Sequence, residues 1–388
     1  MKKIFRAILK TIKWTLLVIV VLAIFSAVYN LTLPEHSEIT EHLSEKEKAY
    51  IAETMNLRQN LGSEVWPGWG DLHIPAIVYN EEYAFLIGYP NPPAGWYKMP
   101  VEEFRGTDWK IVESDDFFGE TYYRQELPNP EITPENFTVK VGDRWVTTMQ
   151  TKEYGAVAFY KGFKNELPPV LNAIFPYKIF WNMLMGKAEN YIGGMAHEAF
   201  HAYQGTIVPE RLAESEYASR LSSGYPWENP KNAEVWIEET NLLLAAYHAQ
   251  NINEAKQLAT QFTNKRRERR ADAKLPDEMI EYEQKREWLE GLAKYAELKI
   301  GLCAEENKTY SSFAAIKEVS GFKSYENRTG YFNKQIDEVI RTAKRSGESR
   351  FYYVGMLQAV LLDRLMPEWK SVAFDKDVYL EDLLVNMN

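Results

Sequence analysis

Cysteine is nearly absent from this 388-residue chain: Cys303 stands alone, which excludes an intrachain disulfide and any zinc site built on cysteine pairs. Histidine is scarce as well, with six in the whole sequence, and there is no internal repeat. Charge is missing from residues 14–34, and residues 16–25 are apolar without interruption. That length just suffices for a bilayer core of about 30 Å. No acid precedes this stretch, whereas Lys2, Lys3, Arg6, Lys10 and Lys13 do. Residues 1–13 therefore read as a cytoplasmic basic head, residues 14–34 as a transmembrane anchor, and everything beyond as lying across the membrane. A cleaved secretory signal shares the basic head and apolar core. Here Ala27 is small but Phe25, two positions earlier, is not, and this favours retention as an anchor.

The net charge is -10 even though the head contributes five positive charges, so the remainder is more acidic still. Such a body repels a phosphate backbone, and no nucleic-acid partner is expected. The basic run at residues 265–270 lies in a stretch of helical composition with acids nearby, and reads as a solvated helix face.

Hydrophobic residues make up 45% of the chain, with 11 Trp, 24 Tyr and 18 Phe, enough for one large or two modest cores. Residues 35–64 read as a helical linker: a polar amphipathic helix over residues 37–60, with Ser44 as a cap, Glu47 three residues on, and Gly62 past the end. Residues 65–165 form a β-rich region of short aromatic and β-branched runs at 76–79, 83–89, 137–141, 145–150 and 156–160, with Val141-Gly142-Asp143-Arg144 as a turn. Residues 166–388 are mostly helical, with apolar residues at three and four spacing around 177–187, 192–204, 232–263, 278–302, 335–344 and 351–365. Residues 211–229 read as a surface connection, or as a lid over a cleft. The fold class is α+β.

The chemistry concentrates at Gly193-Gly194-Met195-Ala196-His197-Glu198-Ala199-Phe200-His201. On a helix, positions i and i+4 share a face, so His197 and His201 offer two imidazoles to one ion while Glu198 reaches the water beside it. This is the zincin arrangement. A catalytic zinc takes three protein ligands and leaves one position open, so a third ligand is needed. His36, His42, His73 and His248 are poorly placed for it, lying near the anchor, in the β-rich region or in an Ala-rich helix. Arg286-Glu287-Trp288-Leu289-Glu290-Gly291-Leu292-Ala293 sets Glu290 among apolar and small residues, where an acid needs a metal or an ion-pair partner.

With these two motifs the chain resembles the gluzincins, whose third ligand is a glutamate on a later helix within a Trp-Leu-x-Glu-Gly-x-Ala type of phrase. The resemblance covers about residues 193–297 and implies a mostly helical, zincin-like half with His197, His201 and Glu290 as ligands and Glu198 as general base. Glu287, Glu297, Glu238 and Glu239 remain rivals for the third position. The long separation of the two motifs requires inserted helices between them. The resemblance also implies an oxyanion donor beyond the third ligand, for which Tyr353 and Tyr352 compete, each with a plain packing role as the other reading. Asp363 reads either as a carboxylate that orients a histidine or as a surface ion-pair partner. Gly155-Ala156-Val157-Ala158-Phe159 resembles the start of the substrate-binding strand of zinc aminopeptidases, but the match ends after Gly-Ala and the glutamate that grips a free amino terminus is missing.

Together these features point to a membrane-anchored zinc metallopeptidase acting on a peptide or protein substrate. Two other readings fit the same residues: an exported metal- or partner-binding protein without turnover, and a zinc amidase acting on cell-envelope material.

Overall fold

A computed structural model describes residues 2–127 and 139–385. It begins with helix α1, Lys2–Asn30, whose stretch Lys10–Asn30 has a mean hydropathy of 2.3 and no buried residues against the rest of the chain. By length and composition this helix can cross a membrane. Asn30 ends it, and its Nδ2 donates to the carbonyls of Ala173 (2.9 Å) and Phe175 (2.8 Å).

The expected polar linker is instead a core helix. Helix α2, Glu45–Val65, starts at Ser44, whose hydroxyl accepts the Glu47 N–H as anticipated, but residues 37–43 are irregular and the helix packs against the helix that carries His197 and His201 and against the one that follows Glu290. Its polar residues are buried because they are paired. Glu53 accepts from Tyr325 Oη, Tyr310 Oη and the Phe313 N–H, and Arg58 donates to the Trp69 carbonyl.

Eight strands follow: β1 Ala76–Tyr79, β2 Tyr83–Ile87, β3 Trp96–Lys98, β4 Glu103–Arg105, β5 Lys110–Ile111, β6 Tyr123–Glu126, β7 Val139–Val141 and β8 Arg144–Gln150. They form one sheet in the order β4-β3-β7-β8-β1-β2-β6-β5, antiparallel throughout except for the β1–β8 pair. The β7–β8 turn falls at Gly142-Asp143, with Gly142 at φ +58°, where a residue without Cβ is unstrained. Residues 137 and 138 of the expected 137–141 strand lie outside the described residues. Alternation along the strands serves two cores: Val78, Phe85, Ile87 and Met149 face the helices, while Ile77, Leu86, Val141 and Val146 join Trp96 in a second cluster.

The expected strand at 156–160 is a helix. Helix α3, Lys152–Glu166, opens at Thr151, whose hydroxyl accepts the Tyr154 N–H, and the Glu47 carboxylate accepts the free N–H groups of Lys152 and Glu153. A double cap on the first turn decides a short apolar run that periodicity alone leaves ambiguous. The likeness of residues 155–159 to a substrate-binding strand therefore fails. Helices α4, Pro169–Ile174, and α5, Tyr177–Met185, join α3 in a small separate aromatic cluster.

Helix α6, Ala188–Ile207, carries both motif histidines and runs between β8 and the later helices. The presumed connection at 211–229 is largely helical: α7, Pro209–Tyr217, then a 3-10 segment, Ala218–Gly224. Helices α8, Pro230–His248, and α9, Ile252–Asp272, form a tight pair. Next come α10, Asp277–Arg286, a π-helical turn, Glu287–Gly291, and α11, Leu292–Glu306, then α12, Arg328–Ala343, α13, Ser349–Leu365, and α14, Leu380–Val385.

The basic run on α9 is not a solvated face. Arg266, Arg269 and Arg270 are buried and paired with Glu239, Glu283, Glu287 and Glu381 at 2.6–3.0 Å, while Lys265, Arg267 and Glu268 of the same run face outward. The spacing 266, 269, 270 is one side of a helix, and four acids from α8, α10, the π-turn and α14 meet it.

Candidate metal centre

Two helices bring the centre together. His197 and His201 lie one turn apart on α6, and the π-turn between α10 and α11 presents Glu290 to them. The Nε2 atoms of His197 and His201 are 3.2 Å apart, and each is 3.3 Å from Glu290 Oε2. All three residues are buried. Two imidazole lone pairs cannot face each other at that distance beside a carboxylate without positive charge among them, so the triad calls for a proton or a metal ion.

The outer edges of both rings are fixed. His201 Nδ1 is 2.9 Å from Gln204 Oε1, and the Gln204 amide nitrogen donates to the carbonyls of Trp288 and Leu289 in the π-turn. With its nitrogen on carbonyls, Gln204 must present its oxygen to His201, which places the proton on Nδ1 and the lone pair of Nε2 toward the triad. His197 Nδ1 faces Glu297 Oε2 at 3.4 Å, long for a hydrogen bond, and Lys294 Nζ holds the other Glu297 oxygen at 2.6 Å. Glu297 thus stands behind His197 and is no rival for the third ligand position. Glu239 and Glu287 belong to the arginine cluster, and Glu238 is exposed and paired with Lys265.

Burial pushes the His197 imidazole down, but its contacts with Glu290 and Glu297 outweigh this and hold it at about 10 without a metal. Burial pushes Glu290 up, yet the Arg286 charge and the two histidines hold it well below the usual carboxylate range. Arg286, one turn before Glu290, donates to its other oxygen, Oε1, at 2.7 Å. The same guanidinium reaches Glu216 and Glu348, and Tyr282 Oη donates to Glu348.

Glu198 is half-buried beside the triad and makes no hydrogen bond or ion pair among the described residues. Burial holds its carboxyl above the usual range, with Glu290 and Glu216 adding to this and the two histidines opposing it. Tyr352 lies with its ring parallel to that of His197, centroids 6.0 Å apart, close enough to Glu290 to feel its charge. Burial and the nearby Glu290 charge push that phenol far above its ordinary value, so it remains a donor. Glu198 and Tyr352 are thus half-buried next to the three buried residues of the triad.

Tyr353, the neighbouring candidate, points elsewhere: its hydroxyl donates to Gln335, and Lys294 sits over its ring. Asp363 orients no histidine. It accepts from Tyr295 Oη and Trp369 Nε1 and pairs with Lys299 and Lys370. Sequence reasoning missed Gln204 and Arg286, although each stands three or four residues from a ligand on the same helix face. No family model matches the chain, and neither a curated protein nor a solved structure matches it.

Proposed function

We propose that the chain is a membrane-anchored, zinc-dependent hydrolase of gluzincin type, most readily a peptidase, with its body on the extracytoplasmic side. One observation carries the reading. Three donor atoms 3.2–3.3 Å apart form a near-equilateral triangle. A tetrahedral ion with bonds of about 2.0–2.1 Å asks for donor separations of about 3.3–3.4 Å. The donor set of two imidazoles and one carboxylate suits zinc, and the residues flanking it are those a hydrolytic site needs.

Bound there, zinc would polarise the scissile carbonyl and acidify the attacking water. Glu198, free of other partners and held by burial above the usual carboxylate range, would take the proton of that water and deliver it to the leaving nitrogen. Tyr352, kept protonated, donates to the oxyanion that develops on the carbonyl oxygen. Arg286 holds the second oxygen of Glu290, so that one oxygen alone faces the histidines. The lysines and arginine in the first half of α1, ahead of its apolar stretch and with no acid among them, support a cytoplasmic amino terminus.

The test uses the purified full chain. Metal analysis should find one zinc per chain, lost in His197→Ala and His201→Ala. Glu198→Gln should keep the zinc while cleavage of a peptide library falls by roughly 10²–10⁴-fold. Cleavage by that variant at the parent rate would remove the mechanism, and a chain without bound metal would remove the reading.

A further inference from the structure

Helices α4 and α5 turn large apolar side chains outward. Val170, Leu171, Ile179, Met183 and Leu184 are between 49% and 74% exposed, within fifteen consecutive positions of the chain. Elsewhere in the body, among the described residues, exposed large hydrophobics are sparser, the densest group being Tyr97, Val101 and Phe104. Concentration of this kind marks a surface that meets something apolar. The segment is well built beneath that face. Phe159, Phe163, Phe175, Tyr177 and Trp181 stack on one another with centroids 4.6–5.6 Å apart, so the outward residues are held in place over a packed base.

The position of this face relative to α1 indicates what covers it. Asn30, at the end of α1, is bonded to the carbonyls of Ala173 and Phe175, which ties α4 to the point where the apolar helix ends. Lys178 lies 5.3 Å from the Tyr29 ring. Between α1 and α5 runs an apolar groove of about 670 Å³, lined by Ile19, Leu22, Phe25, Tyr29, Ile174 and Ile179 among others. Ile19 stands eleven residues before Asn30, about 16 Å along a helix, which is about half the thickness of a hydrocarbon core. Charge agrees with this placement. Residues 152–187 carry five lysines and two glutamates within a strongly acidic body, and Lys161, Lys178 and Lys187 are exposed.

We propose that α4 and α5 form a second membrane contact, lying in the leaflet that faces the body beside α1, with lipid acyl chains filling the groove and covering the apolar face. The exposed lysines then meet anionic headgroups, each adding modestly to the attachment. The proposal rests on α1 being retained in the membrane.

The test is site-directed spin labelling of the full chain. In a Cys303→Ser background, single cysteines are introduced by Leu22→Cys, Ile179→Cys, Met183→Cys and Lys308→Cys. The labelled chains are reconstituted in vesicles of phosphatidylcholine and phosphatidylglycerol. Relaxation by oxygen, which partitions into lipid, is compared with relaxation by a water-soluble nickel chelate. Labels at 22, 179 and 183 should respond to oxygen over nickel, and the label at 308 to nickel. A lipid signal at 22 with positions 179 and 183 as nickel-accessible as 308 overturns the second contact and leaves the anchor standing. A nickel signal at 22 overturns the anchor and with it the proposal. Labels at 179 and 183 shielded from both reagents, with cross-links between chains, would assign the face to a second copy and overturn the proposal as well.

Discussion

Gln204 shows how much of the proposed metal centre is decided by a side chain outside the donor triad. Its two ends are chemically distinct, and the π-turn carbonyls choose which of them meets His201. Gln204→Leu keeps the bulk and removes that choice. Zinc affinity should fall 10–100-fold, as read by competition with a chromophoric chelator, with the far-UV spectrum unchanged. Tyr352 and Tyr353 allow a direct comparison of neighbours. Tyr352→Phe should lower kcat by roughly 10²–10³-fold with zinc retained, by analogy with loss of an oxyanion donor, whereas Tyr353→Phe should stay near the parent value. Equal effects would remove Tyr352 from its role. The juxtaposition of His197 and His201 was legible because a four-residue interval on a helix has one meaning in space. Which of two adjacent tyrosines turns inward was not, since it depends on how α13 is rotated against a helix 60 residues earlier.

That rotation is set where the π-turn crosses α13. A Cβ on Gly355 would lie 2.3 Å from the Glu287 carbonyl, and one on Gly291 would lie 2.5 Å from Gly355 Cα, so the two backbones meet with nothing between them. Gly355→Ala must push the turn that carries Glu290 away. A loss of about 1–3 kcal/mol in stability is expected, together with weaker zinc binding. Gly162→Ala, where a Cβ meets nothing within 4 Å, is the control and should leave both unchanged or raise stability slightly. Most helices were visible as apolar periodicity, and most strands as short β-branched runs. Residues 156–160 were misread because their fate depends on Thr151 and on Glu47, a carboxylate a hundred residues away. Residues 35–64 were read as a linker because their polar surface gives no sign of the tyrosines and backbone groups that satisfy it inside. The π-turn left no trace in periodicity at all.

At the scale of the molecule, the α9 arginines bind four separate segments into one body. Composition showed a basic run, but only the arrangement of α8, α10, the π-turn and α14 around it shows that three of its charges point inward. Burial pushes Glu381 up, but the charges of Arg270 and Arg266 hold it down at about 2, against an ordinary 4.5. Its contribution is therefore complete above about pH 4.5 and is lost as pH falls toward 2, an effect of about 3 kcal/mol. Thermal midpoints measured between pH 6 and 2 should fall across that window, and Glu381→Gln should flatten the fall while lowering the midpoint at pH 6. A variant with the parent's pH profile would show that the cluster contributes no acid sensitivity.

The bond from Asn30 to α4 leaves no slack between the apolar helix and the body. An enzyme hung on a flexible stalk sweeps a hemisphere and can cleave whatever drifts into it. With both helices seated in lipid, the proposed hydrolase would keep a fixed height and a fixed tilt, and its search would be confined to a plane. Its substrates would then be selected first by how far above the bilayer their scissile bond stands, and only afterwards by sequence.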